Sequence, residues 1–315
     1  MEYPNAAFPL TAAQQVLPPP SVASPYVTLV AADDPHLRLP YTLQWNVAVE
    51  QALGTKQTLT VSYVAAGGRK FLHAELLYPP TNPNFALGNG LYLTTGSSTS
   101  DYDSLQVQFQ RRLSRGLQAL ASYTWSHAID DLSNNEALSA TLLRGNADFD
   151  VRHSFSAALT YEVPGSYKNP IAGALLKHYD IDLRQTARSA LPVDIYSGYA
   201  TLSNGQSVNQ VPNLVPGVPV YLSTPSAPGG RVININAFST PAANQNGDEP
   251  RNFARAFAVW QTDLAIRRDF PLHERLKLQF RAESFNIFNH PIFGNIDNFT
   301  TDGPTLFGRA NNTLN

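Results

Sequence analysis

Side chains able to do chemistry gather at a few places along the chain. His127 stands with Asp130 and Asp131 in SHAIDD, and His153 closes DFDVRH. Imidazole and carboxylate are metal-binding groups, but this spacing matches no ligand pattern. Ser126 to Asp131 holds the residue types of a hydrolase triad, yet no Gly-x-Ser-x-Gly elbow presents a nucleophile. Gly67-Gly68 and Gly229-Gly230 lack the strand, glycine loop and helix that cradle a phosphate, and GGRK reads as a turn at a hairpin end. One further set stands out: Gln106, Gln108, Arg152, Arg184, Arg267, Arg281 and Glu283 place polar or charged groups in otherwise apolar stretches. No enzyme, cofactor or metal site is expected from these patterns. The polar set asks instead what elements carry it.

Composition narrows the answer. Hydrophobic residues make up 43% of the 315 and charged residues 15%, against roughly a quarter in soluble domains. A net charge of −2 gives no electrostatic case for nucleic acid or for anionic lipid. The absence of cysteine excludes disulfides and thiolate sites. No apolar run approaches the ~20 residues of a membrane helix, so any membrane role must go through strands. The opening MEYPNAAFPLTAAQQ has neither a basic nor an apolar leader region. The expectation is a chain that is not exported, or an internal piece of a longer exported one.

Alternation with period two runs through the chain. Leu105, Val107 and Phe109 oppose Gln106, Gln108 and Gln110; Leu117, Ala119, Ala121, Tyr123 and Trp125 oppose Gln118, Ser122, Thr124 and Ser126. Similar patterns over 43–53, 58–65, 152–163, 180–191, 260–270 and 276–283 make eight strands in four hairpins. Weaker strands are expected at Phe71–Tyr78 and Leu91–Thr95, and a short helix at Ile171–Lys177. Most turns within hairpins are short. The connections between hairpins are long and rich in Gly, Pro, Asn and Ser, at 79–101, 128–151 and 192–254. Residues 1–39 read as an irregular leading segment and 40–315 as the strand-bearing part.

Three features favour a membrane barrel over a soluble sandwich. Strands of ~10–12 residues can cross a bilayer at a tilt, short turns face long loops, and aromatics flank the apolar faces. The expected girdle is Trp45, Tyr63, Tyr123, Trp125, Tyr161, Trp260 and Phe270, with the polar set facing the lumen. The long polar row then reads as a salt-bridged inner wall, or as direct contact with a transported ligand. The fold expectation is all-β: an antiparallel transmembrane β-barrel. Two alternatives stay open: a small closed barrel acting as a passive outer-membrane pore or surface structural protein, in which the first strand pairs with the last, and a soluble β-sandwich binding module that buries Leu105, Phe109 and Leu159 between sheets.

The segments PYTLQWNVAVEQAL, YDSLQVQFQRRLSRGLQALASYTWSHAIDD, DFDVRHSFSAALTYEVP, WQTDLAIRRDFPLHERLKLQFRAESFNIFNHPIFGNI and FGRA, in that order, resemble the C-terminal barrel region of TonB-dependent outer-membrane receptors. They are most similar to the acidobacterial Oar-like type with a carboxypeptidase-regulatory-like domain. The resemblance implies a plugged barrel of about 22 strands, of which this chain supplies about 8–10. It implies the lipid bilayer as partner, TonB through an N-terminal part that this chain lacks, an unidentified transported ligand and no nucleic acid. The end at FGRANNTLN implies a missing final strand.

Overall fold

Strict alternation gives a strand one greasy and one polar face, and neighbouring strands must keep those faces in register. The computed structural model, which describes residues 30–77, 91–133, 144–164, 171, 179–201, 207–243, 245–273 and 276–314, shows this as one large sheet. Its early strands are β1 (Val30–Asp33), β2 (Tyr41–Leu53), β3 (Gln57–Leu77), β4 (Leu91–Ser114), β5 (Leu117–Asp130), β6 (Gly145–Asn146), β7 (His153–Glu162) and β8 (Tyr179–Arg188). Eight short strands follow: β9 (Pro192–Val193), β10 (Tyr199–Thr201), β11 (Ser207–Asn209), β12 (Asn213–Leu214), β13 (Tyr221–Ser223), β14 (Arg231–Ile233), β15 (Phe238–Ser239) and β16 (Ala254–Arg255). The wall resumes with β17 (Val259–His273) and β18 (Leu276–Ser284). Its order is β18-β17-β8-β7-β5-β4-β3-β2, antiparallel throughout.

The turns follow local chemistry. Arg115 and Gly116 join β4 to β5 with φ of 55° and 75°, the two positive values of a tight hairpin turn. Gly116 is doubly constrained, because a Cβ there would lie 2.5 Å from the Glu162 carbonyl oxygen. GGRK, expected as a hairpin end, is instead an irregular stretch inside β3. Lys70 has φ 58°, the register shifts on either side of Phe71, and a Cβ on Gly68 would meet the Phe71 ring at 2.1 Å. A bulge lets the strand continue. The expected weak strands are therefore the far ends of β3, over Phe71–Leu77, and of β4, over Leu91–Thr95, while Tyr78 lies outside the described residues. The 24 residues of β4 are more than twice the ~9–11 that cross a bilayer.

Three details depart from the sequence reading. Gly96–Asp101, read as loop, is strand and continues the weak strand expected at Leu91–Thr95. β1 pairs with β4 in parallel, an exception in an otherwise antiparallel sheet and in a segment read as irregular. Pro271 stays in β17, opposite Lys277, with the register shift just beyond it. The expected helix at Ile171–Lys177 lies outside the described residues apart from Ile171.

The sheet does not close on itself. Among the described residues β2 pairs only with β3 and β18 only with β17, and every residue of both strands is exposed. This pairing argues against a small closed barrel. Leu105, at 38% exposure, argues against a sandwich core. The buried hydrophobic cluster lies in the connections, where Ile195, Ile233, Phe238, Phe257, Ile296 and Phe307 pack together. The described residues within 192–257 and 293–310 thus form a cap with its own small core. Its short ladders are β9–β16, β10–β11, β12–β15 and β13–β14.

Candidate functional site

The ladders trace which side chains share a face. Gln106 is opposite Thr124 and Gln108 opposite Ser122; Ser122 is opposite Ser156; Arg184 is opposite Ala158 and Asp263; Arg267 is opposite Asp180 and Arg281, and Ala265 opposite Glu283. These pairings put Gln106, Gln108, Arg184, Arg267, Arg281 and Glu283 on one face. Trp45, Tyr63, Tyr123, Trp125, Tyr161, Trp260 and Phe270 fall on the other. Arg152 precedes β7 and joins the rim instead.

The polar face bonds its own charges. Arg267 reaches Asp182 through Nε at 2.7 Å and Nη2 at 3.1 Å, and Asp182 accepts from the Thr160 hydroxyl at 2.8 Å. Arg281 pairs with Glu283. Gln106 donates to the Ser104 hydroxyl at 3.2 Å, which in turn donates to the Val64 carbonyl at 3.0 Å. Gln108 is exposed. The set therefore splits into a charged group on β8, β17 and β18 and a neutral one on β4. On the opposite face, Arg268 lies over the Tyr179 and Phe270 rings at 4.9 Å and 4.6 Å, which leaves its charge stacked on aromatics.

The residues first weighed as a metal site diverge. His127 Nε2 sits 3.0 Å from Asn146 Oδ1 and 2.9 Å from an Arg152 nitrogen. His153 Nδ1 is 2.8 Å from the Tyr123 hydroxyl. Asp131 accepts from the Thr99 amide and hydroxyl, and the Ser126 hydroxyl donates to the Val151 carbonyl at 2.7 Å. Asp130 holds Arg251 at 2.6 Å, with both side chains 4% exposed. Gly229-Gly230 forms a turn under Phe257.

Arg251 belongs to what the sequence reading missed: the fastening of the cap to the rim. It also donates to the carbonyls of Asp130, Ser133 and Gly145. Asn252 donates to the Asn146 carbonyl at 2.8 Å and to Asp148 at 2.7 Å. Arg255 pairs with Asp150, which also holds Arg152 at 2.8 Å and accepts from the Ala128 amide at 2.7 Å. The available signal was PRNFARAF, with two arginines inside a connection otherwise poor in charge. Deeper in the cap, burial pushes the Glu249 carboxyl from its ordinary 4.5 up to about 9, with the nearby Asp194 charge adding to the shift. Glu249 is therefore a neutral acid near pH 7.

A family described as "Outer membrane beta barrel domain" matches residues 2–315. No curated protein matches the chain in sequence. Solved structures similar to it include the outer membrane transporter YddB from Escherichia coli, at 11% identity and TM-score 0.48 over 88% of this chain. The ferripyoverdine receptor of Pseudomonas aeruginosa follows at 12% and 0.44 over 83%, and the ferric-catecholate import receptor Fiu of E. coli at 8% and 0.43 over 82%. The chain spans 31%, 25% and 24% of their respective lengths. The family match, rather than these distant likenesses, carries the assignment.

Proposed function

We propose, from the premise that the chain belongs to the outer membrane β-barrel domain family and so lies in the cell outer membrane, that it is wall and external cap of a TonB-dependent receptor. That receptor takes part in uptake of a large ligand. In this reading the chain contributes eight wall strands to a barrel of about 22, and TonB acts through a segment N-terminal to them. The subtype is the Oar-like one with a carboxypeptidase-regulatory-like domain.

The observation that carries the reading is the two-faced open wall beneath a folded cap. In hydrocarbon every backbone group needs a partner, so the bare edges of β2 and β18 call for further strands. The seven aromatics then meet lipid. Gln106, Gln108, Arg184, Arg267, Arg281 and Glu283 line the lumen as a salt-bridged inner wall, and a large ligand meets the cap first.

Uptake tests this. Cells carrying the gene would be supplied with labelled ferric chelates, oligosaccharides or peptides, with and without a proton-motive-force uncoupler. Accumulation of one class that is lost on uncoupling is the expected result. Accumulation indifferent to the uncoupler would favour a passive pore.

A further inference from the structure

A crevice of about 550 Å³ opens where the cap meets the tops of β7, β8 and β17. His153, Ser189 and Trp260 line its wall side, and Arg152, Arg231 and Arg255 its cap and rim side. His153 is opposite Trp125, and Trp260 aligns through Ala187 and Phe155 with Tyr123. The crevice thus lies on the apolar face, at the level of its upper aromatics. Long loops mark the external end of such barrels, so this is the headgroup level of the outer leaflet.

The charge balance is uneven. Arg152 and Arg255 share one carboxylate, Asp150, and no acidic side chain pairs with Arg231 among the described residues. Three guanidinium groups against one carboxylate leave +2. Arg231 stacks on Tyr221 and Phe257 at 4.6 Å and 5.4 Å and directs only Nη2 to protein carbonyls, those of Arg255 and Ala256. Its Nε and Nη1 have no hydrogen-bond partner among the described residues. The Nε–H and Nη1–H groups lie on different edges of the guanidinium, so each offers a phosphate oxygen a single charge-assisted hydrogen bond. The site is built: Arg231 follows the Pro228–Gly230 turn, and a Cβ on Gly229 would meet the Phe257 ring at 2.3 Å. Beside it Trp260 packs at a tilt against His290, with ring centroids 4.1 Å apart, giving the crevice an apolar lower lip.

We propose that this crevice binds the phosphate group of an outer-leaflet glycolipid. Arg231 and Arg255 hold the phosphate and Trp260 packs against the lipid below it. Net charge concealed this, because −2 over the whole chain says nothing about three arginines in one crevice. The inference rests on the assignment of the apolar face to lipid.

The test is native mass spectrometry of the full chain in detergent micelles. The probes are lipid A, its dephosphorylated form and inorganic phosphate. Lipid A should bind, the dephosphorylated form should not, and Arg231→Gln should weaken lipid A by about tenfold or more. Arg231→Lys should fall between, and Arg281→Gln, on the polar face, should bind as the parent does. A β-sheet circular-dichroism spectrum matching the parent's would confirm that each variant is folded. Equal binding of both lipid forms, or a folded Arg231→Gln that binds unchanged, overturns the site. Displacement of lipid A by millimolar inorganic phosphate overturns the lipid assignment in favour of a free anion. Quenching of the three tryptophans by brominated lipid separates the two claims: with quenching intact, failed phosphate discrimination removes this site alone.

Discussion

At the scale of single residues, the cap depends on two buried acids with opposite behaviour. Asp130 is ionised and held by Arg251. Removing one partner strands the other's charge, so Arg251→Ala should cost about 3–5 kcal/mol. It should free the cap for protease cleavage while the wall keeps its β-sheet circular dichroism. Glu249 is neutral when folded and ionises at its ordinary value when unfolded. Its contribution is therefore present below about 4.5 and is lost as pH rises toward about 9. Glu249→Gln, which fixes the neutral form, should raise the cap's melting temperature at pH 8 and leave it nearly unchanged at pH 4, read by hydrogen exchange or thermal melts. Neither acid was legible in the sequence. Asp130 was weighed for a metal cluster whose spacing fits no ligand pattern, because its true partner lies 121 positions away, and Glu249 is one acid in a stretch that reads as loop.

At the scale of elements, the wall strands were legible because period two is written into each one. The ladders keep every strand's apolar and polar sets on their expected faces. What escaped was length and interruption. The stretch from Gly67 to Lys70 contains the residues of a turn, and only the pairing partner shows that the strand bulges and continues. The cap escaped for another reason. Its core residues, Ile195, Ile233, Phe238, Phe257, Ile296 and Phe307, are scattered through Pro- and Gly-rich sequence without a period. Gly116→Ala tests the turn between β4 and β5. It meets both a positive φ and a close carbonyl, and should cost about 1–3 kcal/mol, seen as a lower denaturation midpoint. Gly54→Ala shares the positive φ but meets nothing within 4 Å, and should cost less.

At the scale of the whole molecule, one sheet has to serve two solvents. Phe155 aligns with Tyr123 and Trp260, and Tyr161 lies six residues further along β7, ~20 Å at about 3.3 Å per residue. Aromatics thus occur at two levels of the apolar face, the arrangement that the proposed interfacial girdles need. The chain's three tryptophans, Trp45, Trp125 and Trp260, all belong to the upper level, so their fluorescence reports that face alone. The most direct measurement is quenching of this fluorescence in bilayers of lipids brominated at different depths. The account predicts strong quenching by bromines near the headgroups, weaker quenching by bromines at the bilayer centre, and protection from aqueous acrylamide. Full access to acrylamide with no quenching by any brominated lipid would contradict it, because the apolar face would then meet water or protein rather than the membrane.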